Sequence, residues 1–173
     1  MPSGKTHDSI TFFLAVPAWL LVWRLSGSIS LATIGTFAFL FGGLMFGPDL
    51  DTKSVQYGRW GVFKVFWLPY KSFFRHRSFW THGLIFGTLI RIVYFLGVLT
   101  LVLAGVFYIA SFVSTGSPPG SIAFTSAWQE FGAYHRGVFG PYLFYVVFAG
   151  LWLGAASHSL SDWAISYIKT GKT

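Results

Sequence analysis

Residues 83–115 form a run of 33 positions that carries a single charge, Arg91. A helix needs about 20 apolar residues to cross the hydrocarbon core of a bilayer. The run therefore predicts one long helix projecting beyond the membrane rather than two stunted ones, with Arg91 facing the bundle or the interface. The rest of the chain agrees. Only 10% of its 173 residues are charged and 54% are hydrophobic, whereas a soluble domain carries about 25% charged residues.

Three more apolar runs cover 9–25, 29–47 and 138–168. They predict an all-α polytopic membrane protein, a single four-helix transmembrane bundle over residues 1–173 with spans near 9–25, 29–47, 83–115 and 138–168. A cleaved signal peptide competes for the first run, because Lys5, an apolar core and Ser26-Gly27-Ser28 fit one loosely. Trp23-Arg24 before the small residues makes a poor cleavage region and favours a retained span. Gly47-Pro48 ends the second run. Residues 116–137, opening with Ser117-Pro118-Pro119-Gly120, read as a loop.

The connection 48–82 is the one extended polar segment. Trp60, Phe63, Trp67, Tyr70 and Phe74 recur at steps of three or four, with Lys64, Lys71 and Arg75 alongside. That pattern predicts an interfacial amphipathic helix between spans two and three, kinked at Pro69. A short helix buried against the bundle is the alternative.

With four spans the loops alternate sides. One side holds Lys5, Lys53, Arg59, Lys64, Lys71, Arg75, Arg77, Lys169 and Lys172; the other holds Arg24 and Arg136. The excess of cations places both termini and the 48–82 loop in the cytoplasm, in a plasma (inner) or internal membrane. On this reading the net charge of +7 reports topology, and the expected partners are membrane lipids, with no nucleic acid.

Against this background the rare polar residues stand out. The chain has five acidic residues and five histidines. Eight of these ten form four groups: His7-Asp8, Asp49 with Asp51, His76 with His82, and His158 with Asp162. Each group falls at a helix end on the cytoplasmic side, a convergence independent of the hydropathy that defines the spans. His158 and Asp162, four apart, share one helical face. Glu130 and His135 fall on the other side. The absence of cysteine excludes disulfides, thiolate zinc sites and cysteine-held clusters. Nitrogen and oxygen ligands suit zinc, manganese, iron or magnesium.

His7, Asp49, Asp51, His82, His158 and Asp162 are the candidate metal ligands. They are too many for one catalytic zinc, which takes three protein ligands and water. Two ions roughly 3.5–4 Å apart would use them, or some would orient a ligand histidine from outside. Asp8 and His76 are candidate proton-transfer or orienting groups, and Arg77 a clamp for an anionic substrate group. Each has a plainer reading: Asp49 as a turn residue, His158–Asp162 as a structural pair, Arg77 as one more cytoplasmic cation.

Thr6-His7, Pro48-Asp49-Leu50-Asp51, His76-Arg77 followed by Thr81-His82, and His158-x-x-x-Asp162 together resemble the YdjM-like family of membrane-bound metal-dependent hydrolases. Within it they are most similar to a branch of uncharacterised metal-binding membrane proteins common in cyanobacteria and archaea. Three residues separate Arg77 from Thr81, where the better-known branch has a tighter His-Arg-Gly-x-Thr-His spacing, and Gly83 stands where serine often follows the second histidine. The resemblance implies metal binding and suggests hydrolysis.

Two functions follow as expectations. The first is a metal-dependent hydrolase at the cytoplasmic interface, holding one or two divalent ions and acting on a phosphate or ester of a lipid-borne, anionic substrate. The second is a non-catalytic metal-binding protein serving storage, assembly or a larger membrane complex. Haem held by His82 and His158 is disfavoured, because the surrounding aspartates suit a harder ion.

Overall fold

The computed structural model describes residues 4–74, 78–83 and 85–171. The described residues are helical and contain no strand. The elements are α1 (Gly4–Ser26), α2 (Ile29–Leu44), α3 (Val55–Arg59), α4 (Leu68–Phe73), α5 (Phe79–His82), α6 (Phe86–Thr115), α7 (Ser121–Phe139) and α8 (Leu143–Thr170). Single 3₁₀ segments, Pro48–Asp51 and Gly61–Trp67, lie on either side of α3.

Among the described residues three helices, not four, have the length and apolarity to cross a membrane: Gly4–Ser26, Phe86–Thr115 and Leu143–Ile168. The expected second span is shorter than the apolar run that suggested it. Helix α2 has 16 residues, about 24 Å at 1.5 Å per residue, against roughly 30 Å of hydrocarbon. It stops at Leu44 because the chain folds back, the Met45 and Phe46 amides both donating to the Phe41 carbonyl (2.9 and 3.1 Å) ahead of Gly47-Pro48.

The chain forms two compact units, Met1–Arg91 with Phe144–Thr173, and Ile92–Leu143. In the first, glycines let α8 approach α2 closely. A methyl group at Gly150 would lie 2.5 Å from the Gly35 carbonyl oxygen, and one at Gly154 would overlap the Phe39 carbonyl. A methyl at Gly43 would meet Thr11 Oγ1 of α1 at 2.7 Å and the Gly154 carbonyl at 3.2 Å. Lipid tails are as apolar as leucine, so helices in a membrane associate through close backbone contact of this kind. Gly150, Gly154 and His158 recur every four residues on one stripe of α8. The contact that joins α8 to α2 therefore carries His158 to the end of α2.

The 48–82 connection is a chain of short helical turns, not the single interfacial helix that the aromatic spacing suggested. Gly61, at φ 54°, breaks the helix in a conformation that residues with a Cβ rarely adopt, and Pro69 begins a new one. Two of the five aromatic residues, Trp67 and Tyr70, turn inward, while Phe63 stays 59% exposed. Trp67 and Tyr70 are each 1% exposed, and the ring series Phe46–Trp67–Tyr70–Phe74 is spaced at 4.8–5.6 Å. Lys71 places its ammonium 4.8 Å above the Tyr57 ring.

Arg91, at the start of α6, is buried, 1% exposed. Its guanidinium donates to the Thr81 carbonyl (2.5 Å) and to Thr88 Oγ1 (3.0 Å), and Tyr70, Asp51 and Asp49 are its electrostatic partners. Burial pushes the Tyr70 phenol above its ordinary value, against the pull of Arg91.

The second unit contains the rest of α6 and α7. Residues expected as a loop from 121 onward form α7, whose aromatic side runs Phe124–Trp128–Phe131 at 6.0–6.5 Å. Phe124 meets Phe107 of α6 at 6.0 Å.

Candidate metal centre

A helix C-terminus leaves its last four carbonyls without helical partners, and at the end of α2 the carbonyls of Gly43, Leu44 and Met45 are left in this way. Side chains from one turn of the following segment satisfy them. Gln56 Nε2 donates to Gly43 O (2.9 Å), Arg59 Nη1 to Leu44 O (2.7 Å) and Trp60 Nε1 to Met45 O (2.9 Å). A cation at this position also opposes the negative end of the helix dipole. The same residues reach further: Arg59 grips both oxygens of the Asp8 carboxylate on α1, and Gln56 Nε2 lies 3.2 Å from His158 Nδ1 on α8. One short turn thus ties α1, α2 and α8 together.

Where they meet, His7, His158 and Asp162 each offer a ligand atom, all within 4.8 Å of one another. His7 Nε2 lies 3.2 Å from Asp162 Oδ1, and His158 Nε2 lies 3.6 Å from Asp162 Oδ2 and 3.5 Å from Asp49 Oδ2. Two ligands held about 2.1 Å from one tetrahedral ion stand ~3.4 Å apart, so these spacings suit a shared ion. The histidines are buried, while the Asp49 side chain is 26% exposed. The Asp49 turn is set by its own carbonyl, which accepts from Ser54 Oγ at 2.7 Å. The centre borders a cleft of about 120 Å³ that Asp8, Gln56 and Arg59 also line.

The hydrogen-bond directions favour a cation. Ser161 Oγ donates its only hydrogen to the His158 carbonyl (2.8 Å), so at 2.7 Å it accepts from His7 Nδ1. That places the His7 proton on Nδ1 and leaves the Nε2 lone pair facing a carboxylate. Neither Asp162 Oδ1 nor His158 Nε2 makes a hydrogen bond among the described residues. Buried polar atoms in that condition are costly, and a divalent ion would satisfy both. The donor set of imidazole and carboxylate fits zinc, manganese or iron.

Of the residues singled out from sequence, His7, Asp49, His158 and Asp162 converge here, with Asp8 at the cleft held by Arg59. Asp51, two residues from Asp49, is buried and does not line the cleft. His76 and Arg77 lie outside the described residues, as does the side chain of His82, whose backbone belongs to α5. Glu130 and His135 belong to the second unit, on α7. Gln56, Arg59 and Ser161 carry no sequence signal of their own, although Gln56 and Arg59 are spaced to face a helix end together.

Fold and site define a helical protein with membrane-length apolar helices and a His/Asp cluster of metal-binding geometry. Residues 2–172 match the family described as "Uncharacterized metal-binding protein (DUF2227)". The chain belongs to that family. No curated protein and no solved structure matches it.

Proposed function

We propose that the protein is a membrane-bound, metal-dependent hydrolase with its centre at the cytoplasmic interface, both termini on that side, acting on a phosphate or carboxylic ester of a lipid-borne substrate. The observation that carries this reading is the convergence of His7, His158 and Asp162 within 4.8 Å beside an open cleft. A structural metal site closes its ligand shell, whereas a catalytic one keeps a position open toward a cavity.

A divalent ion held by these three residues would keep its fourth position toward the cleft and would supply Lewis acidity toward a phosphoryl or carbonyl oxygen, with Asp49 beside it and outside the ligand set. One ion fits the spacing. Asp49, the most exposed of the four, stands at the cleft to accept a proton from an attacking water. Arg59 supplies the positive charge within the cleft, and an anionic ester enters by competing with Asp8 for its two-pronged guanidinium. Ser161 and Gln56 hold the imidazoles from behind.

The test is turnover of phosphate and carboxylic esters by metal-loaded protein in lipid nanodiscs, alongside an Asp49→Asn variant. Hydrolysis that is lost in the variant supports the reading. Stoichiometric metal with no turnover of any ester would assign the non-catalytic role in storage or assembly.

A further inference from the structure

A groove of about 480 Å³ lies between α1 and α8, with Phe39 of α2 also lining it. Leu14, Pro17 and Ala18 form one wall and Leu153, Leu160 and Ala164 the other. Both walls belong to helices long and apolar enough to cross a membrane. The two serines that reach the groove turn their hydroxyls back into α8, Ser157 donating to the Gly154 carbonyl (2.7 Å) and Ser161 to the His158 carbonyl. The groove therefore presents hydrocarbon and no free donor.

We infer that this groove holds one alkyl chain of a membrane lipid and presents that lipid's anionic headgroup to the His/Asp centre. Three observations favour this occupant. Small residues (Ala18, Ala164) and Pro17 leave open a channel that larger side chains would fill. The lining residues run from Ile10 to Leu21 on α1, about 16 Å along the helix, which matches an extended chain lying parallel to the bilayer normal. One end of the groove also adjoins the centre, because Ser161 lines the groove and accepts a hydrogen bond from His7 at 2.7 Å. A chain seated beside Leu14 and Leu160 thus brings its ester group to the level of His7 and Asp162, where the ion and Arg59 provide complementary positive charge.

The inference deepens the reading of the site as one for lipid-borne esters and rests on it for the headgroup. The test is photo-crosslinking with phosphatidic acid that carries a diazirine midway along one chain, in phosphatidylcholine nanodiscs, with labelled residues mapped by mass spectrometry. Labels concentrated on Leu14, Leu153 and Leu160, and reduced in Ala18→Phe and in Ala164→Phe to the level seen at lipid-facing Phe13, support the groove. Metal content equal to wild type shows that both variants are folded. Labels spread evenly over Phe13, Leu20 and the groove, or unchanged in both filled variants, overturn it. So does a second copy in the groove, read as an inter-chain disulfide from Leu160→Cys in this otherwise cysteine-free chain. Groove labelling without ester turnover would retain the lipid site and remove the hydrolase. Turnover without groove labelling would do the reverse.

Discussion

The imidazole rings of His7 and His158 stack with centroids 3.8 Å apart and planes inclined by 16°. The two residues come from opposite ends of the chain, and the stack brings both Nε2 edges toward one carboxylate, that of Asp162. Packing and ligation can be separated here. His7→Phe keeps a flat ring in the stack and removes the ligand atom. It is expected to lose metal beyond the roughly 10–100-fold typical of changes outside the ligand shell, with little loss of thermal stability. A His7→Phe protein that retains wild-type metal would make His7 a packing residue.

Gln56 governs the proton on His158. As placed, its amide nitrogen faces both Gly43 O and His158 Nδ1, and its Oε1 is buried without a hydrogen bond among the described residues. Ligation through Nε2 would put the ring proton on Nδ1, which would then need an acceptor; a half-turn of the amide would offer Oε1 but give up the Nε2 bond to Gly43 O. Gln56→Glu supplies a permanent acceptor for Nδ1 but no donor for Gly43 O, and is expected to hold metal more tightly than Gln56→Met while lowering thermal stability. Gln56→Met is expected to weaken metal binding by roughly 10–100-fold. Competition with a chelator at fixed pH measures both affinities, and thermal unfolding the stability.

The α2–α8 seam tolerates no added methyl group. Gly154→Ala is expected to lower stability by roughly 1–3 kcal/mol through overpacking and to loosen the centre, because His158 lies one turn beyond. Gly97→Ala, where an added methyl meets nothing within 4 Å, is the control and should leave the melting temperature unchanged or slightly raised. Thermal unfolding in detergent compares them. An equal effect at both positions would contradict the seam.

Arg91 fastens the 48–82 connection to α6. Arg91→Met removes the donor to Thr81 and the electrostatic partner of Asp51, and is expected to cost about 3–5 kcal/mol, as breaking a buried charge pair does. Limited proteolysis between Asp51 and Thr81 should accelerate in the variant. Resistance equal to wild type would show that the aromatic packing alone holds this segment.

The helix-end clusters were legible because an imidazole or carboxylate in a chain this apolar is expensive to place without a purpose. That argument reached His7, Asp49, His158 and Asp162. It could not separate Asp49, which lines the cleft, from Asp51, which is buried two residues on in the same 3₁₀ turn and does not. Gln56 and Arg59 stayed hidden because their role comes from the stranded carbonyls of α2, a tertiary demand, and Arg59 looked like one more cytoplasmic cation. Helix α7 was missed because Pro118-Pro119-Gly120 marks where a helix begins as readily as where a loop lies. The length of α2 was overread because its apolar run continues past the residue where the backbone turns.

Elemental analysis of detergent-purified protein, comparing wild type with Asp162→Ala and Asp51→Asn, tests the metal centre most directly. The expected result is a divalent metal bound to wild type and to Asp51→Asn and absent from Asp162→Ala. Metal retained in full by Asp162→Ala, or lost from Asp51→Asn alone, would contradict a centre built on His7, His158 and Asp162.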